Sequence, residues 1–220
     1  DSSPQIKNSI FAYNSSYSGG GLRIKGSAPK INNILIHNNS AESMGAGMLV
    51  SSINDSEVSF INLTIVNNNA GVNGNAISLW DIGINYNLKF INSIIWNDND
   101  GSDIYISGNE YSSINGQIIF DYCDIENGSE SFLVDWQGEV YVNNSIDLDP
   151  LFVSLENFDL YLTEESPCID AGNPDLDGDG DDYTTDIDDQ DPDGTRMDMG
   201  AYYYHQGITY TGPTWYVSTS

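Results

Sequence analysis

The stretch KINNILIHNN, residues 30–39, is one of several similar stretches that together determine the fold. Three close copies surround it, namely QIKNSIFAYN (5–14), SFINLTIVNN (59–68) and KFINSIIWND (89–98). A fifth copy, IIFDYCDIEN (118–127), is more divergent and has Tyr122 at the position where the others have asparagine. The aligned asparagines, Asn8, Asn33, Asn62 and Asn92, are separated by 25, 29 and 30 residues. Spacings of this size are typical of repeat proteins, in which each unit buries its apolar face only against its neighbours.

The copies also share aligned positions, here called columns, whose residues are candidates for the inward-facing core. One column consists of Ile6, Ile31, Phe60, Phe90 and Phe120. A second consists of Phe11, Ile36, Ile65, Ile95 and Ile125, and a smaller third of Ser9, Ile34, Leu63, Ser93 and Cys123. Stacking the repeats places like residues on like and buries them, and no amphipathic helical spacing competes with this arrangement. The pattern therefore predicts parallel strands wound as a β-helix, with coils about 4.8 Å apart.

Asparagine recurs at a second position of the repeats. The column consists of Tyr13, Asn38, Asn67, Asn97 and Asn127. Asparagine can adopt the left-handed backbone conformation at a turn, and stacked amides can bond to one another from coil to coil, as they do in cross-β assemblies. We therefore expect asparagine ladders at the corners of the coils, with ordinary turn residues as the alternative.

The composition limits the class of partner. Six Lys and Arg residues stand against 33 Asp and Glu residues, which gives a formal charge of −27. This balance argues against nucleic acid and anionic membrane surfaces as partners, and it favours cations. No apolar run reaches the ~18 residues of a membrane span, so we expect no direct membrane insertion.

Cys123 and Cys168 are too few for a disulfide scaffold, which leaves one bridge or two buried thiols as alternatives.

A distinctive motif follows the repeats. It reads IDLDPLFVSLENFDLYLTEESPCIDAGNPD (146–175) and resumes as DDQDPDGTRMDMGAYYY (188–204). Repeats and motif together resemble secreted bacterial proteins with a right-handed parallel β-helix, of the pectate-lyase-like superfamily, whose terminal module runs from DPLF through SPCIDAG to DPDG-R-D-GAY. The resemblance implies export, a right-handed coil and frequent surface anchoring or polysaccharide association. It implies no single activity, because this coil serves lyases, hydrolases and non-catalytic stalks.

The acidic stretch DLDGDGDDYTTD, residues 175–186, predicts a metal site. Counted from Asp175, aspartates stand at positions one, three, five, seven and twelve, and a glycine stands at position six. This is the order of an EF-hand-like calcium loop, in which the seventh residue contributes its main-chain carbonyl. The loop resembles the dockerin-type variant, although Asp replaces the usual final Glu and no flanking helices are evident. We predict a calcium site at Asp175, Asp177, Asp179, Asp181 and Asp186; a solvated acidic loop is the alternative.

Candidate catalytic residues are few. Lyases resembling this fold use a cation with a Lys or Arg base, and hydrolases use paired carboxylates. Arg23 and Lys25 lie two residues apart, so both should project outward from one strand face, but no aspartate cluster accompanies them in neighbouring repeats. Asp98, Asp100 and Asp103 are expected in a solvated loop. Arg196, among the densest acids, is expected to hold carboxylates or carbonyls in place. We therefore assign no catalytic residue.

These observations predict three regions. Residues 1–145 form β-helix coils, residues 146–205 form a loop-rich cap with the calcium-type loop, and residues 206–220 form a linker and the start of a following domain. The cap is expected to cover the apolar end of the solenoid. Because the chain starts at Asp1 without Met, and its final WYVSTS (215–220) resembles the opening strand of another such domain, we expect a fragment of a larger multidomain protein.

The expected function is that of a non-catalytic domain, located extracellularly or on the cell surface. It would serve as a spacer or carbohydrate-associated binding module that calcium stabilises. Polysaccharide or cell-surface components are the expected partners. The alternative is part of a polysaccharide lyase or glycoside hydrolase of the same superfamily.

Overall fold

The chain forms a parallel β-helix. The computed structural model describes residues 4–52, 57–82, 87–97, 101–108, 116–135 and 138–207. Strands of successive repeats pair in parallel and stack as a solenoid of about 4 turns. The repeat spacing in the sequence predicted this architecture, and the structure confirms it.

In the described part of the chain, three parallel sheets form the walls of the solenoid. The first contains β1 (Gln5–Ala12), β4 (Lys30–His37), β7 (Glu57–Val66), β10 (Asn87–Ile91), β13 (Gln117–Asp121) and β16 (Glu139–Asn143) in that order, continued by β11 (Ile94–Trp96) and β14 (Asp124–Ile125). The second contains β3 (Leu22–Lys25), β6 (Met48–Ser51), β9 (Ile77–Ile82), β12 (Ile104–Gly108) and β15 (Phe132–Asp135). The third contains the two-residue strands β2 (Ser15–Ser16), β5 (Ser40–Ala41) and β8 (Asn69–Ala70).

The predicted inward columns form the core. Phe60, Phe90 and Phe120 pair in register across β7, β10 and β13. Their rings stack with centroids 4.7 Å apart in both steps, which is the spacing of paired strands. All three are fully buried, as is Ile65 in the second column. The apolar columns are confirmed, because the strands pair in the register that the aligned repeats predicted.

Asparagine ladders are present at the corners. In the first asparagine column of the repeats, φ is positive at every residue and lies between 48° and 55°. The column consists of Asn8, Asn33, Asn62, Asn92 and Tyr122. A second ladder, however, consists of the exposed Asn14 and the buried Asn39, Asn68 and Asn97. The amide nitrogens of the first three each donate to the side-chain oxygen of the next coil. The prediction was therefore wrong for Asn97, which belongs to this ladder and not with Asn38 and Asn67. The side-chain oxygens of Asn39, Asn68 and Asn97 each also accept a main-chain N–H, so these buried amides fix the corners of their coils.

The terminal module begins after the last coil and runs back along its side. It contains the antiparallel hairpin β17 (Phe152–Ser154) and β18 (Asp159–Leu162) and the short 3-10 helix Ile187–Asp189; a second 3-10 helix, Gly128–Ser131, belongs to the coils. Leu160 of the hairpin packs on Leu35 and Val66 of the coils. Phe158 stacks on His37 at 5.2 Å, and burial lowers the pKa of that histidine. The module therefore covers an outer face of the first sheet across several coils.

This lateral position corrects the expectation of an end cap. The last coil presents inward positions Val134 and Val142, which pair with the buried Ile106 and Phe120 of the previous coil. They remain 44% and 48% exposed, so the described residues of the module leave the core open there. The linker and the start of a following domain were expected at residues 206–220, of which 208–220 lie outside the described residues. Within the described part of the chain, no helix is long and apolar enough to cross a membrane.

The two cysteines are free and buried. Of the two alternatives left by the sequence, the structure shows the buried thiols. Cys168 donates its S–H to the Oδ2 atom of Asp124 at 3.2 Å, which ties the module to the fifth repeat. Burial raises the pKa of Asp124 to about 7.

Candidate metal centre

The predicted loop folds as a series of tight turns made by its own aspartates. Asp175 accepts a hydrogen bond from the N–H of Gly178 at 2.9 Å, and Asp177 accepts one from Asp179 at 3.1 Å. Asp179 in turn accepts one from Asp181 at 2.8 Å. Such side-chain-to-backbone bonds favour turns over regular structure. Gly180, at the predicted sixth position, has φ +98°, a conformation that an L side chain rarely adopts.

The turns bring carboxylates together in two overlapping groups. Asp177, Asp179 and Asp186 form one group, and Asp175, Asp177 and Asp189 form the other. In each group, one oxygen from every residue lies within 4.8 Å of the others. Four of the five predicted aspartates are thus gathered at Asp177, which belongs to both groups. This cluster of acidic residues could bind a metal ion.

Asp189 was missed by the sequence reasoning. It lies in the 3-10 helix that follows the twelfth loop position, and this turn brings it back under Asp175 and Asp177. Its side chain is fully buried; Oδ1 accepts the N–H of Leu176 at 2.6 Å. Its Oδ2 atom has no hydrogen-bond partner among the described residues. Burial, with the charges of Asp186, Asp177 and Asp175, raises the pKa of Asp189.

Asp181 stands apart from both carboxylate groups. Its side chain is exposed, and its expected contribution was the main-chain carbonyl, which the grouping of carboxylates does not test. The absence of flanking helices in the sequence is confirmed on the C-terminal side, where only the three-residue 3-10 helix follows. The loop is closed instead by a hydrogen bond from the Tyr183 N–H to the Pro174 carbonyl at 2.8 Å. The carboxylates are therefore gathered without the two helices of an EF-hand.

The loop is anchored to the coils through the SPCIDAG and DPDGTR segments. The N–H of Asn173 donates to Asn92 Oδ1 at 2.6 Å. A Cβ atom at Gly172 would meet the Met197 carbonyl oxygen at 2.6 Å, so only glycine allows this close approach. Arg196 donates from Nε to the Gly172 carbonyl at 2.6 Å and lies over the Tyr122 ring at 5.4 Å. Its predicted structural role is confirmed, with a carbonyl and an aromatic ring as its partners.

The basic residues considered for catalysis lie on another sheet. Arg23 and Lys25 are exposed on β3, with Leu22 and Ile24 turned inward, as the alternation predicted. The module with its carboxylates packs against the first sheet, whereas β3 belongs to the second. Among the described residues, neither side chain makes an ion pair. The structure therefore brings no acidic partner to this basic pair.

The acids expected in a solvated loop require one correction. Asp103 is only 3% exposed, so it is part of the interior and not of a solvated surface. The polar side chains of Asn75, Asn97 and Ser131 surround it. Asp98 and Asp100 lie outside the described residues. Asp103 directly precedes β12, and its main-chain carbonyl accepts the N–H groups of Ala76 and Ile77, which holds it against the neighbouring coil.

Comparisons with known proteins give no assignment: no family model matches the chain, and no curated protein and no solved structure matches it.

Proposed function

We propose that this chain is a non-catalytic, secreted or cell-surface β-helix domain, a spacer or carbohydrate-associated binding module that calcium stabilises. The observation that carries the proposal is the pair of overlapping carboxylate groups around Asp177, completed by the buried Asp189. The coils supply a rod, and the module that carries the acidic loop is held on its side through Asn173 and Gly200.

The loop needs a positive charge that the described protein does not provide. Two groups of carboxylate oxygens lie within 4.8 Å, where like charges repel. The nearest basic candidate in sequence, Arg196, uses its Nε for the Gly172 carbonyl. The Oδ2 atom of Asp189 is buried and has no partner among the described residues, and leaving a buried charged oxygen unpaired costs free energy. A bound cation removes both penalties.

The donor atoms favour calcium over other metals. All side-chain donors in the two groups are carboxylate oxygens, with no His or Cys of the kind that holds zinc. Calcium takes six to eight oxygens with flexible geometry, whereas magnesium keeps several waters and binds through one or two carboxylates. Five gathered aspartates, together with main-chain carbonyls, match the larger ion.

A catalytic role has less support. Lyase chemistry on this fold requires a base beside a cation, and Arg23 and Lys25 occupy a different sheet from the one that the metal centre faces. The buried carboxylates Asp103 and Asp124 are shielded from solvent and from substrate. The solenoid with its laterally docked module is better suited to support and display than to reaction.

The proposal is tested by calcium-dependent stability. Extracellular calcium modules bind at about 0.1 to 1 mM. At about ten times the Kd, binding to the folded state alone adds about 1.4 kcal/mol to the free energy of unfolding. For a chain of this size we expect a rise in Tm of about 3–6 °C, measured by scanning calorimetry against a chelator. Magnesium should raise it much less.

Matched variants separate coordination from charge screening. Asp177→Asn and Asp189→Asn should abolish the calcium response, because each removes a carboxylate from a group. Asp188→Asn removes the same charge from an exposed neighbour outside both groups and should leave the response intact. Asp181→Asn should also retain it, since the expected ligand there is the carbonyl. An equal response of Asp177→Asn and Asp188→Asn, or equal protection by NaCl at matched ionic strength, would contradict the calcium site.

A further inference from the structure

A second feature of the molecule is a cleft between the coils and the terminal module. It has a volume of about 610 Å³, within the range of ligand pockets. One wall is the outer surface of β1 and β4 with the corner asparagines Asn8, Asn33 and Asn62. The opposite wall is built by the module, with Tyr161 and Tyr203. The cleft exists because the module docks along the side of the coils.

The coil wall offers amide groups in a row. Asn8, Asn33 and Asn62 repeat at the spacing of the coils, and Asn33 Nδ2 donates to Asn8 Oδ1 at 3.3 Å. Asn62 is 9% exposed, and its Oδ1 atom has no hydrogen-bond partner among the described residues. The Oδ1 atom of Asn32, which also lines the cleft, is likewise buried without a described partner. Unsatisfied buried acceptors are uncommon in folded proteins and call for a donor from outside.

The module wall offers aromatic surface. The rings of Tyr161 and Tyr202 stack at 4.5 Å with an interplanar angle of 14°, so they form one flat plate. Tyr161 remains 54% exposed and Tyr203 38% exposed, although both line the cleft. The consecutive tyrosines at 202–204 have no role in the metal centre. The faces of aromatic rings carry partial negative charge and pack favourably on groups with positive edges, such as the C–H faces of sugar rings.

The charge of the cleft selects among ligands. Its described lining contains no Lys, Arg or His, but it contains Asp191 and Asp198. With a net charge of −27 on the chain, an anionic ligand would be repelled. Hydroxyl groups can donate to amide and carboxylate oxygens without a charge of their own. We propose that this cleft binds a neutral oligosaccharide, whose ring faces pack on Tyr161 and Tyr203 and whose hydroxyls bond to the corner asparagines.

This inference rests on the carbohydrate-associated function proposed above and gives that function a site. The test uses the whole chain with millimolar calcium and isothermal titration with cellohexaose, xylohexaose and mannohexaose as neutral probes. Hexagalacturonate is the anionic probe. We expect at least one neutral hexasaccharide to bind and hexagalacturonate to bind at least about tenfold more weakly, because the cleft has acids and no base.

Variants locate the binding. Tyr161→Ala and Tyr203→Ala should each weaken binding about tenfold, in line with the energy of aromatic packing. Tyr17→Ala changes a tyrosine that is even more exposed but lies outside the cleft, and it should leave binding unchanged. No binding of any neutral probe, tighter binding of hexagalacturonate, or binding insensitive to both cleft variants would overturn the proposal. Stabilisation by calcium is measured without saccharide. Failure of the calcium proposal can therefore be distinguished from failure of the saccharide proposal.

Discussion

Asp103 makes a quantitative prediction about the dependence of stability on pH. Its side chain lies inside the solenoid, and burial, with the charge of Glu126, raises its pKa to about 7. The folded state therefore holds a proton on this carboxyl over a pH range in which the unfolded chain, with a pKa near its ordinary value, has lost it. The proton on Asp103 binds more tightly to the folded state than to the unfolded chain. The contribution of Asp103 to stability is therefore present at low pH and is lost as the pH rises towards 7.

The magnitude follows from linkage. Integrating the difference in bound protons between about pH 7 and about pH 5 gives a gain of about 2 kcal/mol from this single group on acidification. Asp103→Asn keeps the shape of the protonated carboxyl and removes its titration. The free energy of unfolding of the variant should therefore rise less on acidification than that of the original chain, by about 2 kcal/mol.

Urea unfolding at the two pH values, with a chelator present so that the metal centre does not contribute, measures this difference. Other buried carboxyls with raised pKa values, such as Asp124 and Asp198, change stability in the same direction in both proteins and cancel in the comparison. Asp135→Asn, at an exposed position on β15, is the matched control and should follow the original chain. If Asp103→Asn and Asp135→Asn showed the same pH dependence, Asp103 would not be buried as described.

Two further predictions concern the core and the absence of catalysis. Phe90→Ala should cost about 3–5 kcal/mol by urea unfolding, because it removes the middle ring of a stacked column. Lys89→Ala, which removes only the partly exposed ion pair with Glu57, should cost no more than about 1 kcal/mol; equal costs would refute the assignment of inside and outside. Incubation with pectate or alginate should produce no ultraviolet absorbance from unsaturated product, and a calcium-dependent rise that Lys25→Ala abolishes would contradict the non-catalytic proposal.

The fold was predictable because every coil of a solenoid has the same packing requirements. Each coil must present the same inward positions at the same register, so Phe60, Phe90 and Phe120 could be aligned before any contact was known. The misassignment of Asn97 was not visible, because two of the five repeats have asparagine at both corner positions, Asn38-Asn39 and Asn67-Asn68, and the alignment cannot choose between the two columns. The hydrogen bonds show to which column Asn97 belongs. Its side-chain oxygen accepts the Asn68 N–H, in the column of Asn39 and Asn68, whose amides are buried and need hydrogen-bond partners.

The acidic cluster of the candidate metal centre was predictable only in part. Regular spacing identified Asp175, Asp177, Asp179 and Asp186, because local turns alone bring those side chains together. Asp189 depends on a 3-10 turn beyond the loop and on burial beneath it. Among eleven aspartates between residues 175 and 198, nothing in the sequence distinguishes the one whose oxygen is buried. Sequence spacing therefore predicts a cluster of carboxylates, whereas burial identifies the carboxylate that most needs a compensating positive charge.

The lateral position of the module could have been inferred from one strand. In β4, Ile34, Leu35 and Ile36 are consecutive apolar residues, although a strand with one solvated face should alternate. Leu35 is outward and yet 4% exposed, because Leu160 of the module packs on it. The same outward column contains Thr64, whose hydroxyl accepts the Ala201 N–H at 2.8 Å. At Leu35 the outward apolar residue thus marks a position that the module covers, whereas Ile10, its partner in β1, remains 58% exposed.

The position of the module along the side of the coils also explains why Gly200 is a glycine. It also links the two proposed sites. Gly200 has φ +102°, its N–H donates to the Asn92 carbonyl at 2.7 Å, and a Cβ there would meet Ile94 at 2.8 Å. The close contact fixes the chain on both sides of it: Asp198 accepts the Tyr204 N–H, and Tyr202 stacks on Tyr161 to form the aromatic plate of the cleft. Residues that immediately follow Asp189 also line the cleft. A cation that orders Asp189 would therefore steady a wall of the cleft, because both sites are parts of one module held against the same coils.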